Sequence, residues 1–139
     1  MPSPSLTFTS DLDMRAVRGH VRRFLLVDDF TGTANGRDWL IPKGFETDLV
    51  STEKALENII SNDDFDVLWA AVWHDYAYQV NGALWPEAPP FTRAECDGLL
   101  IAGMITLGAP WWKRPLVWLA VRLGGGFHWH DNTPTSPSL

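Results

Sequence analysis

"NDDFDVLWAAVWHDYAYQVNG", residues 62–82, decides the fold of this chain. Upstream of it, apolar residues come in short β-rich runs. Within it, Phe65, Leu68, Trp69, Val72 and Tyr76 recur at three- and four-residue steps, the spacing of one face of a helix. Asp63 or Asp64 suits an N-cap, and Asn81-Gly82 suits a left-handed stop, so a helix running to about Val80 is expected. The polar residues His74, Asp75 and Tyr78 interrupt an otherwise apolar segment. They are either buried structural groups or the working end of a site.

Downstream the chain keeps its helical character. Thr92 with Glu95 three residues on is a capping box, and the helix it opens is expected to run to Leu107 and stop at Gly108. A last helix, about 111 to 123, contains Trp112, Leu116, Leu119 and Leu123, with Pro115 tolerable in its first turns. Ser51 or Thr52 is positioned to cap a short helix over 53–60. Upstream, residues 5–9 and 19–28 read as strands. Asn35-Gly36 is a hairpin signal, and "RDWLIP", 37–42, is the return strand. The fold class is therefore α+β: a small N-terminal antiparallel sheet followed by three to four helices. One domain is expected over residues 1–132, with Pro/Ser-rich tails at 1–5 and 133–139.

Composition narrows the functional classes. The chain has 139 residues, 45% hydrophobic and 20% charged, enough for a packed core. A formal charge of −6 argues against nucleic acid, because phosphate contacts require clustered Lys and Arg. Arg15, Arg18, Arg22, Arg23, Lys113 and Arg114 cluster locally and read as a solvated strand face and a helix start, with a phosphate or anionic-lipid contact as the alternative. The single cysteine, Cys96, rules out an internal disulfide and reads as a core thiol, which fits synthesis in a reducing host cytoplasm. The N-terminus has no apolar signal-peptide core. Residues 98–112 are apolar but shorter than the span of about 20 residues that a bilayer needs, so no transmembrane segment is expected. Eight tryptophans suggest that some line a groove or an interface.

Three constellations carry possible chemistry. His74 and Tyr78 are four apart and share a helix face with Ala70, while Asp75 lies about 100° round. Asp97, set among apolar residues on the following helix, is the natural partner of His74. The set is either a general base with an orienting carboxylate or a buried polar network pinning two helices. In "PKGFETDLVS", 42–51, Thr47, Asp48 and Ser51 stand at a strand end; Asp48 and Ser51 are either site residues or helix caps. In "FHWHD", His128 and His130 project to one side of extended chain, either to clamp zinc or as an exposed tail.

Two resemblances follow from these motifs. Pro42-x-Gly44-Phe45-x-Thr47-Asp48-x-x-Ser51, His74-Asp75-Tyr76-x-Tyr78 and Arg93-x-x-x-Asp97, followed by an apolar helix and a Gly-rich turn, resemble a small uncharacterised family of tailed bacteriophages and prophages over about residues 38–126. Val50 and Thr52 depart from that family's usual Ala and Pro. The resemblance implies phage or prophage origin, other phage proteins or a bacterial envelope component as partners, and a place in a tail or particle. His-Asp-x-x-Tyr with a later Asp is also similar to the active-site pattern of phospholipases A2. That similarity implies His74 as base, Asp97 as its orienting carboxylate, Tyr78 as supporting hydroxyl, and Asp75 as a calcium ligand. The glycine-rich carbonyl loop of those enzymes has no counterpart here, which leaves Asp48 as the upstream oxygen donor. Calcium is then the first expected metal and zinc the second. The functional expectation is a metal-assisted hydrolase of a phospholipid or cell-wall bond; the alternative is a non-enzymatic virion component.

Overall fold

The structure, a computed structural model, describes residues 3–19, 23–47 and 65–124. It is α+β, as expected. Among the described residues, six short strands precede three helices: β1 Leu6–Phe8, β2 Met14–Ala16, β3 Phe24–Leu26, β4 Phe30–Ala34, β5 Arg37–Ile41, β6 Glu46–Thr47, α1 Phe65–Gln79, α2 Arg93–Thr106 and α3 Lys113–Gly124. The expected short helix over 53–60 and the caps Asp63 and Asp64 lie outside the described residues.

The strands form two antiparallel sheets of three rather than one, ordered β1-β4-β5 and β2-β3-β6. Asn35 and Gly36 carry φ values of 53° and 81° between β4 and β5. Positive φ at both central residues is what a two-residue turn needs to match strand twist. Strand alternation is clearest in β4, where Phe30, Gly32 and Ala34 are buried while Thr31 and Thr33 are half-buried. Gly32 is required there: a Cβ would sit 1.9 Å from the Thr7 carbonyl oxygen and 2.5 Å from the Trp39 ring. Of the strand expected over 19–28, whose residues 20–22 lie outside the described residues, Phe24–Leu26 forms β3, and β2, too short to show a period, pairs with it from Met14 to Ala16.

Phe8, Phe30, Trp39 and Trp69 form one aromatic cluster beneath the first sheet, with centroids 5.3 to 6.0 Å apart and mostly edge-to-face. Helix α1 packs both on this cluster, through Trp69, and on α2, so it is buried on more of its surface than a single stripe allows. Val67, Ala70, Val72, Trp73 and Ala77 are inaccessible, whereas Leu68, Trp69 and Tyr76 of the expected stripe are only partly covered.

Tyr78 meets Arg93, His74 meets Asp97, and Ala70 faces Gly103, so α1 and α2 run antiparallel. The approach at Gly103 is close, since an added Cβ would lie 2.7 Å from Leu6 and 3.2 Å from Ala70. The capping box forms as expected, with Thr92 accepting from the Glu95 amide and Glu95 accepting from the Thr92 amide. Between the helices, the chain docks on the β4–β5 hairpin: Trp85 Nε1 donates to the Asp38 carbonyl at 2.7 Å and Arg37 pairs with Glu87.

Helix α3 packs on α2 through Val117 and Val121, which join Val67, Ala70, Leu100, Met104 and Ala109 in a second core. Trp112, Leu116 and Leu119 face outward instead. The basic residues divide. Arg15, Arg18 and Arg23 are solvated, as expected, but Lys113 is buried and Arg114 is half-buried, donating to the Ala109 carbonyl at 3.0 Å. The turn before α3 leaves carbonyls to be satisfied, and the cation turns inward to meet one of them. No helix among the described residues is long and apolar enough to cross a membrane.

Candidate functional site

The centre of the site is Asp97, whose side chain is wholly buried. A lone carboxylate in such a position would be costly, and three donors converge on it. His74 Nε2 donates to Oδ1 at 2.7 Å, the Tyr78 hydroxyl donates to the same oxygen at 2.5 Å, and Arg122 Nη1 donates to Oδ2 at 2.8 Å. Each comes from a different place in the fold: His74 and Tyr78 from successive turns of α1, Arg122 from the end of α3. Arg93 closes the arrangement. Its Nε donates to the Tyr78 hydroxyl at 3.2 Å, and its Nη2 donates to the carbonyls of Val121 and Arg122 at 3.1 and 2.7 Å.

Burial alone would raise the Asp97 carboxyl. The hydrogen bonds from His74, Tyr78 and Arg122 outweigh it and hold the group below the usual carboxylate range, so Asp97 is ionised. Burial, and then the bond to Asp97, push the Tyr78 hydroxyl far above its ordinary range, which keeps it a donor. An ionised carboxylate only accepts. The Nε2 of His74 therefore carries the hydrogen, and in the neutral ring the lone pair belongs to Nδ1. Among the described residues no group hydrogen-bonds Nδ1. The His74 side chain keeps 11% of its surface exposed.

Asp75 points elsewhere. Its Oδ2 accepts from the Thr47 hydroxyl at 2.6 Å and from the Gln79 amide at 3.5 Å. Thr47 is buried on β6, so this bond ties α1 to the second sheet. Beside it a hollow of about 200 Å³ is lined by Arg23, Glu46, Thr47 and Gln79. The structure thus brings together His74, Tyr78 and Asp97 in one cluster and Thr47 and Asp75 in a second. Asp48, Ser51, His128 and His130 lie outside the described residues. Among the described residues no three His, Cys, Asp or Glu side chains group together as a metal site. Cys96 is buried, and burial together with the neighbouring charges of Asp97 and Glu95 pushes its thiol up to about 12, an inert core position.

Sequence reasoning passed over Arg93 and Arg122 as site residues. Arg93 stands one turn before Asp97 on the same helix. Arg122 is the one charge in the second half of an apolar helix, a placement that calls for a buried counter-ion.

These elements define an α+β protein whose helices enclose an ionised carboxylate shared by an imidazole, a phenol and a guanidinium. Residues 24–121, more than half of the chain, match the family described as "Protein of unknown function (DUF1353)", and the chain belongs to that family. That span contains every member of the Asp97 cluster except Arg122, which follows it directly. No curated protein and no solved structure matches the chain.

Proposed function

We propose that this chain is a phage- or prophage-encoded hydrolase in which His74 is the general base, acting on a phospholipid ester or a bond of the bacterial cell wall. The observation that carries the reading is the ionised, fully buried Asp97 accepting from His74 Nε2, which fixes the tautomer and leaves Nδ1 as the basic nitrogen. In the reaction, Nδ1 takes a proton from water as the water oxygen bonds to the electrophilic carbon. The imidazolium so formed is stabilised by the Asp97 charge, and its Nδ1 proton then passes to the departing oxygen. Tyr78 and Arg122 hold the carboxylate in place. Calcium, then zinc, are the cations to test; Asp75 would offer one carboxylate oxygen, and Asp48 is the second candidate ligand.

The second reading is a non-enzymatic component of a phage particle, with the same residues as a packing network. Complete burial of Asp97 and the low exposure of His74 favour it. The purified protein and its His74→Asn variant separate the two, assayed on phosphatidylcholine and phosphatidylglycerol vesicles and on peptidoglycan, with and without calcium. Turnover by the native chain that falls by about 10²-fold or more in the variant, with the folded state retained, supports the hydrolase. No product from any substrate under either condition sinks it.

A further inference from the structure

The outward side of α3 is unlike the rest of the surface. Trp111, Trp112, Leu116, Trp118 and Leu119 are each between 44% and 77% exposed, and Pro115 is exposed among them. Trp112, Leu116 and Leu119 follow at four- and three-residue steps along one side of the helix. The opposite side carries Val117 and Val121 into the core, so α3 presents large apolar residues both inward and outward, as helices covered on both faces do. Taking about 200 Å² for each large apolar side chain, the five exposures leave on the order of 500 Å² of apolar surface.

We infer that this face is a homodimer interface, formed by α3 and the Trp111–Trp112 turn of two copies of the chain around a two-fold axis. Three observations select a second copy. The first is area. A standard interface buries about 800 Å² per partner, and homodimer interfaces are about 65% apolar, which requires the apolar contribution present here. The second is charge. No ionisable residue lies between Pro115 and Leu119, so a two-fold axis brings no like charges together at the centre. The third separates a protein partner from an anionic bilayer. Surface helices that bind such bilayers present Lys and Arg around the apolar face. Here both neighbouring cations turn inward: Lys113 is buried, with Nζ 5.7 Å from the Trp112 ring centroid, and Arg114 donates to the Ala109 carbonyl. The chain's charge of −6 adds repulsion towards such a membrane. The interface is independent of the hydrolytic reading, yet it adjoins the site, because the same helix delivers Arg122 to Asp97.

Sedimentation equilibrium of the full chain across the micromolar range tests this. The expected native mass is twice that of the chain, with association strengthened by added salt as repulsion between the two negative chains is screened. Leu116→Glu with Leu119→Glu should give the single-chain mass at every concentration with unchanged far-ultraviolet circular dichroism, because both side chains are exposed in the single chain. Trp118→Ser, a milder change, should weaken association at least tenfold. A native chain of single-chain mass at the highest concentration overturns the proposal. So does a single-chain mass combined with co-sedimentation on phosphatidylcholine vesicles, which assigns the face to lipid. A dimer that survives both variants places the interface elsewhere and overturns it as well.

Discussion

Replacing Arg122 with Met removes the only guanidinium that touches Asp97 among the described residues while keeping much of the side-chain volume. The variant leaves Asp97 Oδ2 without its donor, in a residue with no solvent access. Removing one member of a buried ion pair costs about 3–5 kcal/mol. The Arg122 side chain is 31% exposed, so water screens part of its charge and brings the cost below that range, to about 2–3 kcal/mol. For a domain of this size that is a fall of about 10 °C in Tm. Asp97→Asn should cost a similar amount, because its amide hydrogens meet the guanidinium hydrogens. The double variant removes both charges, so its cost should fall short of the sum by about 2 kcal/mol. Urea denaturation of the four proteins at neutral pH yields that coupling directly. Repeating it in acid adds a second reading. Since Asp97 is held below its ordinary range, its stabilisation is complete above about pH 4 and is lost as pH falls through the lower folded value. Arg122→Met removes one of the groups holding it down, so the acid loss should be smaller and should end at higher pH. Additive costs within about 0.5 kcal/mol, or an unmoved acid limb, would refute the account of Asp97 as an ionised, shared acceptor.

Three further outcomes follow from packing and protonation. Thr47→Val removes the hydroxyl that meets Asp75 inside a buried position, and should lower stability by about 1–2 kcal/mol in urea, whereas Thr47→Ser should restore most of it. Gly103→Ala places a methyl against Leu6, Ala70 and Phe8 and should cost about 1–3 kcal/mol, read as a lower Tm; an unchanged Tm would mean that α2 stands off from α1 and β1. Cys96, buried and with its thiol pushed up to about 12, should resist a disulfide reagent in the native state and react fully in denaturant; fast native labelling would contradict its placement.

Much of this architecture is legible in the chain because the relevant signals are local. Asn35-Gly36 needs only its own backbone to specify a hairpin, and Thr92 with Glu95 specifies a helix start within four residues. The His74–Asp97 pairing was accessible for a related reason: two helices successive in the chain tend to pack antiparallel, and a carboxylate among apolar residues requires a partner. What escaped is non-local. The division into two sheets depends on Met14–Ala16 pairing with Phe24–Leu26, three-residue strands whose alternation is too brief to register. Arg122 lies 25 residues from Asp97 in a third helix, and nothing adjacent to either announces the contact. The orientation of α3 was equally hidden, because the stripe of Trp112, Leu116 and Leu119 that its spacing shows faces outward while Val117 and Val121 enter the core. The Thr47–Asp75 bond crosses from strand to helix over 28 residues and has no local signature either.

Helix ends ordinarily fray first, since their last carbonyls have no partner within the helix. At Val121 and Arg122 those oxygens are gripped by Arg93, whose Nε also supports the phenol above Asp97. Loosening the final turn would thus withdraw a brace from the carboxylate and a clasp from its neighbour in a single event. A change made at the last turn of α3 should therefore register at position 97.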